Sequence, residues 1–461
     1  MSPFSVFKYG VHAALFVALF AGSRAHADDP TAAIVLGPQT DNTVAVAKAT
    51  SEPQRDQSDH SEAAVIEDAE LTLAEAVQRA VEYSPAVKAA YLEIEARQGE
   101  AEQSGYVPNP ELLVEVENFA GDGERSGIDF AEETFSFAQT IELGDKRIKR
   151  LRAAQLDTSL AGWDHEAVRV HVAKQAAQAF VEVLVSQQRL EVLGEFTSTA
   201  EKTLSSVDAR VSGGKASPIE KDRAAVALAR AEALRTSEGV RVAAARKKLA
   251  ALWGAEDPDF SKAGGRFGAA GKVPDIATLQ ALLDANPALA RWTQEIDRRT
   301  AQLELEHAVA VPDITVGAGV RHSNEDDSLA LLASVAVPLP FFDRNQGAIT
   351  AAERRVAKAE NDRRSVRSEL YVSLVDALGA LDVAATQLDA LERNVLPGAE
   401  RAFERTKIGF DEGKFDILSV LDVQRIVFET RLEVLSARAE YEKARVDVEA
   451  LVGRDLDSLE E

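Results

Sequence analysis

Apolar positions along this chain follow two periods, and the switches between them mark its elements. From Asp145 to Ser217 no proline occurs, and Val172, Ala176, Ala179, Val183, Leu190 and Leu193 recur at spacings compatible with steps of three and four. That stripe on one face, as a coiled-coil seam requires, predicts a single helix over 145–212. At about 1.5 Å of rise per residue it spans on the order of 100 Å, more than a compact domain uses. By itself such a helix fits a soluble coiled-coil rod. Two stretches of period two precede it. In 111–119 Leu112, Val114 and Val116 lie opposite Glu115 and Glu117, and in 133–143 Phe135, Phe137, Ile141 and Leu143 lie opposite Thr134, Ser136, Thr140 and Glu142. One apolar and one polar face on segments of about ten residues is what a tilted, membrane-crossing strand needs.

The whole pattern occurs twice. Val77, Ala80, Val81 and Pro85 recur 202 positions later as Leu279, Leu282, Leu283 and Pro287, and the same offset carries Pro110, Leu112, Val114 and Val116 onto Pro312, Ile314, Val316 and Ala318. Asp145 meets Asp343, Gly214-Lys215 meets Gly413-Lys414, and Gly254 meets Gly453 at slightly shorter offsets. The first repeat, 71–254, therefore holds two helices broken at Ser84-Pro85, the two strands, the long helix and a return helix over 218–253. A connector, 255–275, contains the run from Gly264 to Gly271. The second repeat, 276–453, holds strands 314–321 and 329–339, a long helix 345–409 with Pro397 as a kink, and a return helix 416–452. Residues 454–461 form a C-terminal tail. Glycines tolerate left-handed torsions, so Gly213, Gly214, Gly409 and Gly413 mark the turns at the helix ends remote from the strands.

Residues 1–27, with Lys8, the apolar run Val11–Ala21 and the box Ala25-His26-Ala27, read as a secretory signal peptide. Residues 28–70, rich in small and polar residues and lacking periodicity, read as a flexible extension. The chain carries 76 acidic against 52 basic residues, a net charge of −24. That argues against a nucleic-acid or anionic-lipid ligand. Cysteine is absent, which excludes disulfides, thiolate metal sites and lipidation of an N-terminal cysteine. No later run of eighteen apolar residues exists, so any membrane contact falls to the strands. His165, His171, His307 and His322 form no pair at i, i+4 and sit in no HExxH motif, and Met1 is the only methionine. Neither a resident metal site nor a cofactor nor a catalytic constellation is expected.

Four strands cannot close a barrel, and an open sheet edge in lipid leaves backbone groups unpaired. Three copies supply twelve strands, an even number within the bacterial range, above twelve helical staves. The protomer is thus predicted to be mainly α with a small β part, and three copies would build a tube of strands in a membrane continued by a tube of helices.

The segments NPELLVEVENFAGDG (109–123), QTIELGDKR (139–147), VPLPFFDRNQG (337–347) and GKFDILSVLDVQR (413–425) resemble the TolC-like outer-membrane efflux proteins, specifically their cobalt–zinc–cadmium resistance branch. The resemblance covers nearly everything from Leu71 onward. It implies a homotrimer with an α-helical barrel reaching into the periplasm, topped by a twelve-stranded transmembrane β-barrel in outer-membrane lipid. Such a trimer acts as an exit duct without catalysis, with a periplasmic adaptor (membrane fusion protein) and an inner-membrane resistance–nodulation–division pump as partners. It also implies a gate of an aromatic, an arginine and aspartates at the second periplasmic turn. The matching positions here read Phe410, Phe415, Ser419 and Asp422, so the expected gate is Phe410 and Phe415 packing beside Asp422, with Asp411, Lys414 and Asp416 as charge partners. The helix-tip turns are the expected adaptor contact. Many relatives carry a lipidated N-terminal cysteine; this chain has none, so its anchor is expected to be the barrel.

On the strands Glu115, Glu117 and Glu142 fall on the polar faces, which line the lumen if the apolar faces meet lipid. Asp122, Glu124, Asp129, Glu325, Asp326 and Asp327 fill the two loops. Carboxylate rings in a pore favour cations, in keeping with a cargo of divalent heavy-metal cations such as cobalt, zinc, cadmium or nickel. An exit duct for organic compounds or drugs is the alternative reading, followed by a passive porin or adhesin and a soluble periplasmic adaptor. An adaptor normally has one helical hairpin flanked by β-rich domains, and a porin has no need of staves this long.

Overall fold

The computed structural model describes residues 70–123, 127–267 and 270–459. The expected signal peptide, all of the expected extension except Glu70, and Glu124 lie outside them.

Strand β1 (Glu70–Leu71) leads into α1 (Leu73–Tyr83) and α2 (Pro85–Ser104). Thr72 starts α1 with a capping box: its hydroxyl accepts from the Glu75 N–H at 3.3 Å and the Glu75 carboxylate accepts from the Thr72 N–H at 2.9 Å. Pro85 occupies the first turn of α2, where no N–H is missed, so the chain breaks and restarts there. Strands β2 (Glu111–Glu117) and β3 (Glu132–Ile141) follow, then α3 (Lys146–Ser212), 67 residues without interruption, and α4 (Pro218–Ala251). A short β4 (Lys262–Ala263) pairs in parallel with β1. The second half runs α5 (Ile276–Gln280), α6 (Pro287–Val309), β5 (Ile314–Ser323), β6 (Ser328–Ala336), α7 (Gln346–Ala390), a π-helical turn at Leu391–Val395, α8 (Leu396–Asp411) and α9 (Ile417–Val452).

Two differences from the periodicity are informative. Period two predicts strand to Leu143, but β3 ends at Ile141, because Gly144 (φ +70°) and Asp145 (φ +60°) turn the backbone left-handed into α3. The second long helix, expected over 345–409 with a kink at Pro397, is divided into α7 and α8 by the π turn just before that proline. Pro397 lacks an N–H and its ring crowds the carbonyl four residues back, at Arg393; the π turn containing Arg393 widens the helix there.

The four long strands form one antiparallel sheet in the order β2-β3-β5-β6, in which β3 and β5 join the two repeats. The helices pack in the matching order: α2 and α4 against one side of α3, α6 and α9 against its other side, then α7 and α8 beyond those. Four staves thus continue from four strands. Each repeat closes its own apolar core. Leu71, Phe180, Val183 and Leu249 anchor the first, and Leu279, Leu374, Leu381 and Val448, all fully buried, anchor the second.

Where strands meet helices, the Lys146 ammonium lies 2.6 Å from Asp313 and is only 9% exposed. Asp313 also accepts from the Leu143 N–H at 2.9 Å. Burial pushes this carboxyl up, but the bonds from Lys146 and Leu143 outweigh it and hold it below the usual carboxylate range. In the second repeat the corresponding junction is uncharged on one side: Asn345, at φ +61°, donates from its amide to the Glu306 carbonyl at 2.8 Å and carboxylate at 2.7 Å.

Candidate functional site

The register sorts the sheet residues into two faces. One holds Leu112, Val114, Phe135, Phe137, Val320, Leu331 and Val335. Leu331 is 90% exposed and Phe137 63%. Full burial of such a side chain is worth about 1.5–3 kcal/mol that water denies it, so this face belongs against an apolar medium. Among the described residues no helix is long and apolar enough to cross a membrane.

The opposite face carries Glu111, Glu115 and Glu117 from β2, Glu132 and Thr134 from β3, and Arg321 from β5. Glu117 and Glu132 stand directly opposite each other. Arg321 spans both with its fork, Nη2 at 2.9 Å from Glu117 and Nη1 at 2.9 Å from Glu132, while its Nε donates to the Thr134 hydroxyl at 3.0 Å. Glu115 is exposed and makes no such bond. Glu142 is not on this row. It follows the end of β3 and is gripped by Arg150 through two bonds of 2.7 and 3.1 Å. The strand was expected to continue through it; the turn at Gly144 takes it into the junction instead.

At the far end the two helical turns are built alike. Gly214 (φ +72°) and Gly413 (φ +77°) each reverse the chain, and Lys215 and Lys414 donate backbone N–H groups to Arg210 and Gly409 carbonyls at 2.8 and 2.7 Å. Three residues after each glycine comes the next helix's cap, Ser217 or Asp416. The side chains differ. Where the first tip has Arg210 and Ala216, the second has Gly409 and Phe415. A Cβ on Gly409 would lie 2.3 Å from Cδ2 of Phe415, so only glycine leaves room for that ring. Arg210, in turn, sits over the Phe410 ring at 4.4 Å and donates to its carbonyl at 3.2 Å.

This places the expected gate residues in different surroundings. Phe410 is 6% exposed and packs with Val207, Ala224, Ile417 and Val420, binding the two hairpins together. It is interior to the protomer rather than a free ring. Phe415 is 49% exposed. Asp422 is exposed and pairs with Arg425 at 2.8 Å, one turn along α9. Lys414 pairs with Glu412 at 2.6 Å, and Asp411 is exposed. Asp416 accepts from the Ser419 hydroxyl at 2.6 Å and N–H at 2.9 Å, bonds that hold its carboxyl below the usual range. Gly213, at φ −80°, keeps an ordinary backbone.

The sequence reading missed Arg321, Arg210 and the niche at Gly409. Their signals were available: period two puts Arg321 on the polar face, and the offset of the second turn sets Arg210 beside Gly409 and Ala216 beside Phe415. Among the described residues no cluster of three or more histidine and carboxylate groups is arranged to hold a metal ion.

The family model described as outer membrane efflux protein matches residues 76–255 and 278–454, one segment in each repeat. The chain is 33% identical over 384 residues to the cobalt-zinc-cadmium resistance protein CzcC of Cupriavidus metallidurans, covering 83% of this chain and 90% of that one. It is 26% identical over 308 residues to the nickel and cobalt resistance protein CnrC of the same organism, covering 67% and 73%. Among solved structures, that of CusC superimposes with a TM-score of 0.69 at 15% identity, covering 82% of this chain and 91% of that one. The sheet with one apolar face, the four staves and the paired turns agree with these matches: the chain belongs to the outer membrane efflux protein family and has the TolC-like channel fold.

Proposed function

We propose that this outer membrane efflux protein is the exit duct of a tripartite, proton-driven system that exports divalent heavy-metal cations, among them cobalt, zinc, cadmium or nickel. The observation that carries this reading is the 33% identity to a cobalt-zinc-cadmium resistance protein over 90% of its length. The carboxylates on the polar sheet face suit a cationic cargo. Three copies close the barrel, because β2 and β6 each leave an unpaired edge. The partners are a periplasmic adaptor, met at the turns around Gly213-Gly214 and Gly409–Gly413, and an inner-membrane pump of the resistance–nodulation–division class. The sheet carries the chain in the outer-membrane lipid.

The gate in this reading is the second tip. Phe415 and Asp422 face the opening, whereas Phe410 acts as the pin that ties the moving hairpin to α3. The π turn and Pro397 give α8 a place to bend that α3 lacks. The test is complementation: a strain with a metal pump and adaptor but no exit duct should regain growth in cobalt, zinc or cadmium when supplied with this chain. Restored tolerance to organic toxicants with none to the metals would overturn the metal assignment and favour the duct for organic compounds.

A further inference from the structure

We infer that Arg321 is a specificity-determining residue of the channel, a fixed counter-charge that keeps Glu117 and Glu132 from trapping divalent cations on their way out. The inference rests on the proposed function above, which makes the polar sheet face the lumen and metal cations the cargo.

The polar face carries four carboxylates, Glu111, Glu115, Glu117 and Glu132, and Arg321 is its one cation among the described strand residues. Glu117 and Glu132 are cross-strand partners, and like charges placed opposite one another repel. Two carboxylates held side by side on a rigid sheet are also a ready chelate for a hard or borderline divalent cation. Arg321 takes that place. Its planar guanidinium fork engages one oxygen of each carboxylate at 2.9 Å. The Thr134 hydroxyl, on a residue only 3% exposed, fixes the third donor at 3.0 Å and thereby aims the fork. Lysine, a point charge, cannot make this three-point contact.

The consequence follows from what conduction demands. A pore must attract its ion and still release it. Glu115, one row from the clamp and unpaired, supplies attraction. The Glu117–Glu132 pair, if bare, would supply retention. By occupying the chelate with a tethered cation, Arg321 leaves a lumen that is cation-attracting without a strong site.

The experiment is single-channel recording of the full-length protein in planar bilayers, with zinc or cobalt chloride added on the side of the strand loops. In Arg321→Gln the concentration giving half block should fall about tenfold, as expected when a cluster of net charge −1 becomes a bare pair of net charge −2. Preference for potassium over chloride should rise in parallel. An assembled Arg321→Gln channel with unchanged metal block overturns the inference. If that variant does not assemble, Glu117→Gln/Glu132→Gln decides it: with Arg321 left uncompensated, metal block should weaken and anion passage rise, and no change again overturns the inference. Glu115→Gln separates the two layers. Loss of cation preference in Glu115→Gln beside an unaltered Arg321→Gln rejects the role of Arg321 and keeps the lumen assignment, while failure of metal tolerance in cells rejects the cargo irrespective of either recording.

Discussion

The two helical hairpins descend from one repeat, yet their mechanics differ. The first runs through α3 for 67 residues without a break and ends in a tip whose tight turn carries Arg210 and Ala216. The second is interrupted by a π turn before Pro397 and ends in a tip where Gly409 makes room for Phe415. Interhelical ties follow suit. Arg431 on α9 reaches both Glu195 on α3 and Glu400 on α8 at 2.9 Å, and Arg438 on α9 pairs with Glu392 in the π turn. Such ties are partly exposed and individually weak, on the order of 1 kcal/mol or less. A duplicated element can therefore keep its backbone plan while one copy runs unbroken and the other is interrupted.

The largest expected effect comes from removing the hinge. Deleting Asn394 together with Pro397→Ala takes out the extra residue that widens the helix and should give one regular helix through α7 and α8. Channel opening should fall about tenfold, a change that needs only ~1.4 kcal/mol. Single-channel open probability measures it; an unaltered value would reduce the difference between the hairpins to decoration.

Next come the strand-to-helix junctions. Asp313→Asn removes the partner of an ammonium that is 9% exposed, and Asp313 is itself 31% exposed, so a cost of roughly 2 kcal/mol is expected, below that of a fully buried pair. Asn345→Ala loses two hydrogen bonds and should cost about 1–2 kcal/mol. Denaturation of the purified protein ranks them. If Asn345→Ala proves the costlier, the charged junction is not the stiffer of the two.

The tips give a smaller contrast. Gly409→Ala sets a Cβ against the Phe415 ring and should destabilise that turn by about 1–3 kcal/mol through overpacking. Gly213→Ala, at φ −80° and with its nearest contact at 3.4 Å, should shift stability by less than about 0.5 kcal/mol. Limited proteolysis at the two turns reads the difference, and equal susceptibility would remove the niche from the argument.

The smallest effect is a pH dependence confined to one cap. Asp416 has its folded pKa lowered by Ser419, so its stabilisation is present above the ordinary carboxylate range and is lost as pH falls through the depressed folded value. Ser217 does not titrate. Hydrogen exchange at the Ser419 amide, corrected for intrinsic rate, should speed up in acid, while that at the Ile219 amide, bonded to Ser217 at 3.3 Å, should not. Parallel behaviour of both amides would show that the cap charge plays no part.

Much of this molecule is local and was therefore legible. Proline and glycine positions, the two periods and the repeat offset fix where helices start, where strands lie and which strand face is apolar, because each depends on torsional preference or on residues a few positions apart. Stave order, the joining of β3 to β5 and the fate of individual charges depend on residues far apart in sequence. Glu142 read as a strand carboxylate until the turn at Gly144 delivered it to Arg150, and no linear spacing showed that Phe410 is enclosed by α3 and α4. Sequence alone determined a twice-repeated, two-faced, helix-and-strand protomer of an efflux channel. Only tertiary structure decided that Arg321 closes the Glu117–Glu132 pair and that Phe415 lodges against Gly409, because those outcomes turn on distances between strands and between the two sides of a turn, which no linear spacing encodes.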